Sequence, residues 1–276
     1  MGNRTFTGGY LRVVNREDSG AETRFLKLSM SHEEPSGERS DARFIPGLPP
    51  PTRGAVSIGQ ARPGARIVNS NGVPGTLGCL ARTLHDGQPV LLSTWHVLFG
   101  NKAPEASAVW LQDDSASKPG FLRIGRLLYG KLGVVYFEGQ ECHIDCAIAA
   151  LQPSQTRHNS AERTALTWAT TGSESLTVGS MVTKLGATSG ITTGLIADID
   201  FSAMVSVKGR KYFAQRQLLI RPREGHCAFS AEGDSGSIVV DCSNRAVGLL
   251  WGTNVRGEGV ASPIAPVLYA MNIALA

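Results

Sequence analysis

Residues 229–240 read FSAEGDSGSIVV. Gly, Asp and Ser each favour a tight turn: glycine admits a positive φ, and short aspartate and serine side chains bond back to nearby backbone. The apolar, β-branched run that follows reads as a buried strand. The stretch is therefore a small turn delivering Ser235, between Gly233 and Gly236 and beside Asp234, to the mouth of a strand. It is either a plain turn or a turn that presents a nucleophile among backbone amides. What else the chain carries decides between them.

Working outward, the pattern from about Ala55 to Ile264 is one of short β-like runs broken by Gly, Asn, Asp and Pro. GARIVNSNG, QPVLLST, LRIGRLLYG, LGVVYFEG, SMVTKLG, TTGLIADID, MVSVKG, RQLLIRP, SIVVDCS and AVGLLWG are examples. Closely spaced strands with turn signals predict an all-β sandwich or barrel. The exception is the tail PIAPVLYAMNIALA, whose apolar and alanine content predicts a short terminal helix over about 264–275. No internal repeat is evident.

The first 50 residues differ. YLRVVNREDSGAETRFLKL has two apolar-alternating runs around a polar turn and reads as a hairpin. The charged SHEEPSGERSDARF and the proline-rich FIPGLPPPTRG follow it. Residues 1–54 are thus expected to form an appendage and linker outside the core, with a junction near Pro46–Gly54, and to dock a regulatory protein partner or restrain the active site. Residues 55–276 form the main domain.

The 276 residues suffice for a full-sized core. A net charge of +4, with no basic run alternating with aromatics, argues against nucleic acid. No apolar stretch is long enough to cross a bilayer. The N-terminus lacks a signal peptide's apolar centre, and Phe6 breaks the myristoylation pattern, so a cytoplasmic location without membrane attachment is expected. Five cysteines (Cys79, Cys142, Cys146, Cys227, Cys242) follow no regular spacing. Cys142 and Cys146 on one strand would stand roughly 13 Å apart, too far for a disulfide. A zinc site joining them to His143 is disfavoured because adjacent strand residues point to opposite faces. No metal is expected.

A serine nucleophile needs a base, and the base needs an orienting acid. All six histidines (32, 85, 96, 143, 158 and 226) precede Ser235. That excludes a Ser–Asp–His chain order, and Ser237 stands where a nucleophile elbow needs glycine. The order His–Asp–Ser remains. In LLSTWHVLFG, His96 ends a buried-looking strand. In ECHIDCAIA, His143, Asp145 and Ala147 share one strand face, with Ile144, Cys146 and Ile148 on the other. An acid among apolar neighbours is costly unless partnered, so Asp145 wants a donor such as an imidazole N–H. Asp198 or Asp200 in IADIDF are the alternative acids.

GTLGC at 75–79, LLSTWHV at 91–97, HIDCAIA at 143–149, VTKLGATSGITTGLI at 182–196, FSAEGDSGSIVVD at 229–241 and AVGLLWG at 246–252 form an ordered series. From about Ser57 to the C-terminus it resembles the chymotrypsin/trypsin family of serine peptidases, and is most similar to a bacterial, non-secreted branch. The resemblance implies two six-stranded antiparallel β-barrels, about 55–155 and 165–262. It implies His96 as general base, Asp145 as its orienting acid, Ser235 as nucleophile, and the amides of Gly233 and Ser235 as the oxyanion hole. It also implies substrate contacts at Phe229, Ser230, Trp251 and Gly252, a peptide or protein substrate, and no cofactor.

Departures accompany it. Leu250 replaces a serine whose hydroxyl supports the buried aspartate, Trp95 replaces a small residue and is expected to crowd or shape the cleft, and Val97 removes the disulfide partner of Cys79. The acid before the serine, Asp234, is expected to meet an internal arginine or backbone amides, although Arg53 in TRGAVSIG offers a cleavable site. No acid occupies the base of the primary pocket, which argues against Lys or Arg preference, and Phe229 suggests a shallow or apolar pocket. His226 would favour an acidic side chain only by reaching inward. The competing readings are a catalytically latent fold serving as a peptide-binding or interaction module, and a serine esterase.

Overall fold

The computed structural model describes residues 9–13, 24–29, 61–100, 107–113, 120–153, 176–207, 210–225 and 227–275. The junction Pro46–Gly54 with Arg53, and His32, His158 and His226, lie outside them.

The alternating runs fold into two antiparallel sheets. The first is built from β3 (Arg66–Asn69), β4 (Pro74–Thr76), β5 (Cys79–Thr83), β6 (Pro89–Ser93), β7 (Ala108–Asp113), β8 (Gly120–Phe137) and β9 (Gln140–Leu151). The second holds β10 (Met181–Gly186), β11 (Gly190–Val207), β12 (Arg210–Pro222), β13 (Ile238–Asp241), β14 (Ala246–Asn254) and β15 (Gly259–Pro263). Three of the apolar clusters position the site. Ile67, Leu91, Val109, Ile124, Ala147 and Ala149 fill the first barrel. Val182, Ile196, Leu218, Phe229, Val239 and Leu250 fill the second. A third lies between the barrels, where Ile144, Cys146 and Ile148 meet Ile238, Leu249 and Val267. Strand β9 is buried from Cys142 to Ala150 because its two faces serve two different cores. Asp145 shares its parity with Ala147 and Ala149.

Two features depart from expectation. The terminal helix, α2 (Ile264–Met271), stops where Asn272 takes a left-handed conformation (φ 52°), a common helix-ending device. The chain then returns to the first barrel as β16 (Ile273–Leu275), paired with β5. The expected hairpin is present as β1 (Gly9–Val13) and β2 (Arg24–Ser29) but joins the second sheet: β2 pairs with β14 at Thr253 and Asn254, and β1 with β11 at Ala203 and Met204. Among the described residues no helix is long and apolar enough to cross a membrane. All five cysteines are free, and burial pushes the Cys79 thiol up to about 12.

Candidate active site

Residues 229–237 form a tight loop ahead of β13, clamped from both barrels. Gly233 and Gly236 have φ of +91° and +98°, a region where side chains are strained. A Cβ at Gly236 would also collide with Thr76 O and Ser93 Oγ. Thr76 of the first barrel donates its N–H to Ser235 O (2.8 Å) and its hydroxyl to Gly233 O (2.9 Å). Gly236 N donates to Leu250 O (2.8 Å) on β14. With both carbonyls held outward by Thr76, the N–H groups of Gly233 and Ser235 donate to no acceptor among the described residues.

Asp234 is fully buried and accepts five hydrogen bonds. Thr188 N and Ser189 N reach Oδ1 (3.0 Å each), while Ser189 Oγ (2.5 Å), Ala231 N (3.0 Å) and Lys184 Nζ (2.8 Å) reach Oδ2. Burial, the largest influence, pushes this carboxyl up. The Lys184 charge and the hydrogen bonds outweigh it and hold the group below the usual range. Backbone amides are thus among its partners as expected, while the cation is a lysine and not an arginine. Its signal lies in the sequence: in MVTKLG, Lys184 shares its strand face with buried Val182 and Gly186. A lysine on an inward face calls for a buried acid.

His96 sits on the single-turn helix α1 (Trp95–Leu98) after β6 and has no solvent exposure. Asp145 meets it twice, through His96 N to Oδ1 (3.1 Å) and Nδ1 to Oδ2 (2.6 Å). Asp198 instead accepts from Asp200 N (2.9 Å). The other ring nitrogen, Nε2, is buried and has no hydrogen-bond partner. Half-buried Ser235 has its hydroxyl directed at Trp251 O (3.4 Å). The segments bearing His96 and Ser235 approach each other at Gly75, where a Cβ would meet both Val97 and Ser235 O, but a hydrogen bond between Ser235 Oγ and Nε2 is not formed.

The expected wall residues divide. Trp251 and Gly252 lie on β14 past the point where β13 stops pairing with it. Ser230 is buried, its carbonyl accepting from Thr253 Oγ1 (3.0 Å). Phe229, expected at the base of a pocket, has 0% exposure and turns its ring into the second barrel. Gly194 and Gly259 make room for it: a Cβ on either would stand 2.7 Å from the ring. Leu250 packs on Gly259. Trp95 stacks on Phe99 (6.0 Å between centroids) over Gly130. His143 is buried against Trp251 and Tyr212, and burial holds its imidazole below its ordinary range against the opposing Asp145 charge.

No protein-family model and no curated protein matches the chain. Solved structures do. The chain is similar to a glutamic acid-specific serine protease that uses a histidine triad in substrate binding, with 15% identity and a TM-score of 0.54 over 78% of this chain and 100% of that one. Nocardiopsis protease matches at 17% identity and a TM-score of 0.49, over 78% of this chain and 97% of that one. Thermobifida fusca protease A matches at 20% and 0.49, with the same coverage. The chain has the chymotrypsin-like double-β-barrel fold that its ordered motifs predict, a fold its structural neighbours use as serine proteases.

Proposed function

We propose that this protein is a serine endopeptidase that cleaves peptide bonds through an acyl-enzyme on Ser235. One observation carries the reading: Nδ1 of a fully buried imidazole is engaged by a buried carboxylate, while its Nε2 is buried with no partner. A ring nitrogen so held is a poised proton acceptor. When a peptide carbonyl enters, the Ser235 hydroxyl turns from Trp251 O to Nε2 and gives up its proton as Oγ bonds to the carbonyl carbon. Asp145 holds the tautomer and stabilises the imidazolium. The N–H groups of Gly233 and Ser235 receive the oxyanion. The C–N bond then breaks as the leaving amine takes the proton from Nε2; water, deprotonated by the same nitrogen, adds to the acyl carbon, and the Oγ–C bond breaks with that proton returning to Ser235 Oγ, releasing the acid.

Trp251 and Gly252 serve as the edge on which the peptide adds as a strand. Residues 1–54 restrain this edge, a reading supported by the pairing of β2 with Thr253 and Asn254. Free cysteines suit a cytoplasmic location.

A second reading, a latent peptide-binding module, is favoured by the Ser235 hydroxyl resting on Trp251 O. A fluorophosphonate probe divides the two. Labelling of wild type but not of Ser235→Ala or His96→Ala supports the hydrolase, and folded wild type that stays unlabelled supports the module. Cleavage of a peptide library, compared with simple esters, then separates peptidase from esterase. Deleting residues 1–54 is expected to raise the labelling rate; an unchanged rate removes the restraining role.

A further inference from the structure

Gln217 on β12 has no solvent exposure, yet every hydrogen-bonding position of its carboxamide is used. Nε2 donates to His143 O and to Gln215 O (2.8 Å each), and Oε1 accepts from Trp251 Nε1 (2.7 Å) and Ser262 Oγ (3.1 Å). The amide orientation follows from its neighbours: an indole N–H only donates and a carbonyl only accepts, so O faces Trp251 and N faces His143. Its partners lie on β9, two residues before Asp145, and on β14, at the residue whose carbonyl holds the Ser235 hydroxyl.

The backbone is distorted to aim this side chain. Between Phe201↔Gln217 and Ala203↔Ala214, strand β12 carries one residue more than β11, a bulge. Within it Arg216 has φ of +59°, an unfavourable conformation for a large side chain. Such strain persists only where the surroundings over-determine it. Here they consist of one amide tying together the barrel that bears Asp145 and the strand that bears Trp251.

Resting on the serine-peptidase reading, we infer that Gln217 is a positioning residue that sets the Trp251 edge in register with the Asp145 strand, so that an extended peptide is aligned over Ser235. Its contribution falls on extended substrates, because only they use the edge. A small acyl probe reaches Ser235 without it.

The test uses the full chain, with three readouts: fluorophosphonate labelling rate, kcat/KM for the best tetrapeptide amide from a library, and kcat/KM for its single-residue ester. Gln217→Leu is expected to keep labelling and ester turnover within about threefold. It is expected to lose about 10- to 100-fold in tetrapeptide kcat/KM, mainly through KM, the range for a buried donor left without its acceptor. Trp251→Phe removes the same hydrogen bond from the other side and carries the test even where Gln217→Leu does not fold. Its tetrapeptide loss should match, and the double variant should be no worse than either single. Parallel loss of labelling, ester and peptide turnover, an unchanged tetrapeptide kcat/KM, or additive losses overturns the inference while leaving the peptidase reading intact. Folded wild type that does not label overturns that reading, and the inference with it.

Discussion

Asp145 and Asp234 are both buried, with 1% and 0% of their surfaces exposed, and the molecule treats them in opposite ways. Asp234 is saturated by donors from four residues on three segments, one of them a buried ammonium. Among the described residues Asp145 receives two hydrogen bonds, both from His96. A carboxylate satisfied from every side holds its surroundings still, as Asp234 does for the loop carrying Gly233 and Ser235. A carboxylate satisfied by one residue has committed its charge to that residue. The first arrangement builds a frame; the second stores a negative charge where an imidazolium would profit from it.

The contrast breaks most visibly at the sparsely served acid. Asp145→Asn keeps size and shape but presents an N–H₂ group to His96 Nδ1, forcing the other tautomer. In the proposed mechanism kcat should fall by about 10⁴-fold with little change in folding. Labelling rate together with the urea midpoint checks both halves. A variant that unfolds in parallel with losing activity would make Asp145 a structural acid like Asp234.

Removing the cation from the saturated acid should do the reverse. Lys184→Met leaves Asp234 buried with no countercharge, a loss of about 3–5 kcal/mol in folding stability. Lys184→Met/Asp234→Asn should recover part of it, because two of the five donors come from backbone N–H groups on Oδ1. Acid unfolding reports the same pair. The folded pKa of Asp234 is depressed, so its stabilisation is complete above the unfolded value near 3.8 and disappears as pH falls through the folded value. Loss of Lys184 should move the acid midpoint to higher pH. Urea unfolding at pH 7 and pH 4 measures both shifts, and equal stability of single and double variants would show that the charge is not what the lysine supplies.

A backbone contact sharpens the comparison next. Gly186 lies so close to Asp234 that a Cβ would collide with its carboxylate and stand 2.8 Å from Lys184 Nζ. Gly186→Ala should therefore cost about 1–3 kcal/mol by forcing the pair apart. A glycine distant from the pair with no neighbour within 4 Å, Gly139, has only its positive φ to lose. The two alanine variants compared by thermal unfolding separate crowding from backbone strain.

How much of this was legible follows from where each signal lies along the chain. The double-barrel fold could be read because its strands are short, bounded by turn residues, and carry their motifs in order. Lys184 was readable in principle, since strand parity turns it inward, but parity names no partner, and Asp234 is fifty residues away. Gln217 was not readable. In RQLLIRP it takes the polar position of an alternating strand, and the bulge at Arg216 that sets it on the same face as buried Ala214 leaves no local signal. Phe229 was misjudged because its ring has two exits, cleft or core, and the glycines that open the second, Gly194 and Gly259, come from other strands. The last residues, NIALA, have helix-forming alanines, and pairing of Ile273 with Thr83 outweighs that propensity. Local chemistry is written locally; which distant partner completes it is not.

The smallest expected effect concerns the residue between the two treatments. His143 shares a strand face with Asp145 and packs on Trp251, buried and held below its ordinary pKa of 6.5. The folded protein therefore resists protonating it, while the unfolded chain takes up the proton freely below about 6.5. Between the folded and unfolded values the unfolded state binds more protons, so stability rises with pH and is lost as pH falls. His143→Phe keeps a ring against Trp251 and removes the titration. Its stability at pH 8 should lie within roughly 1 kcal/mol of wild type, and its urea midpoint should decline less steeply between pH 7 and pH 5. Parallel declines would mean that Asp145 already shares its charge with His143, and the difference between the two acids would be smaller than their hydrogen bonds suggest.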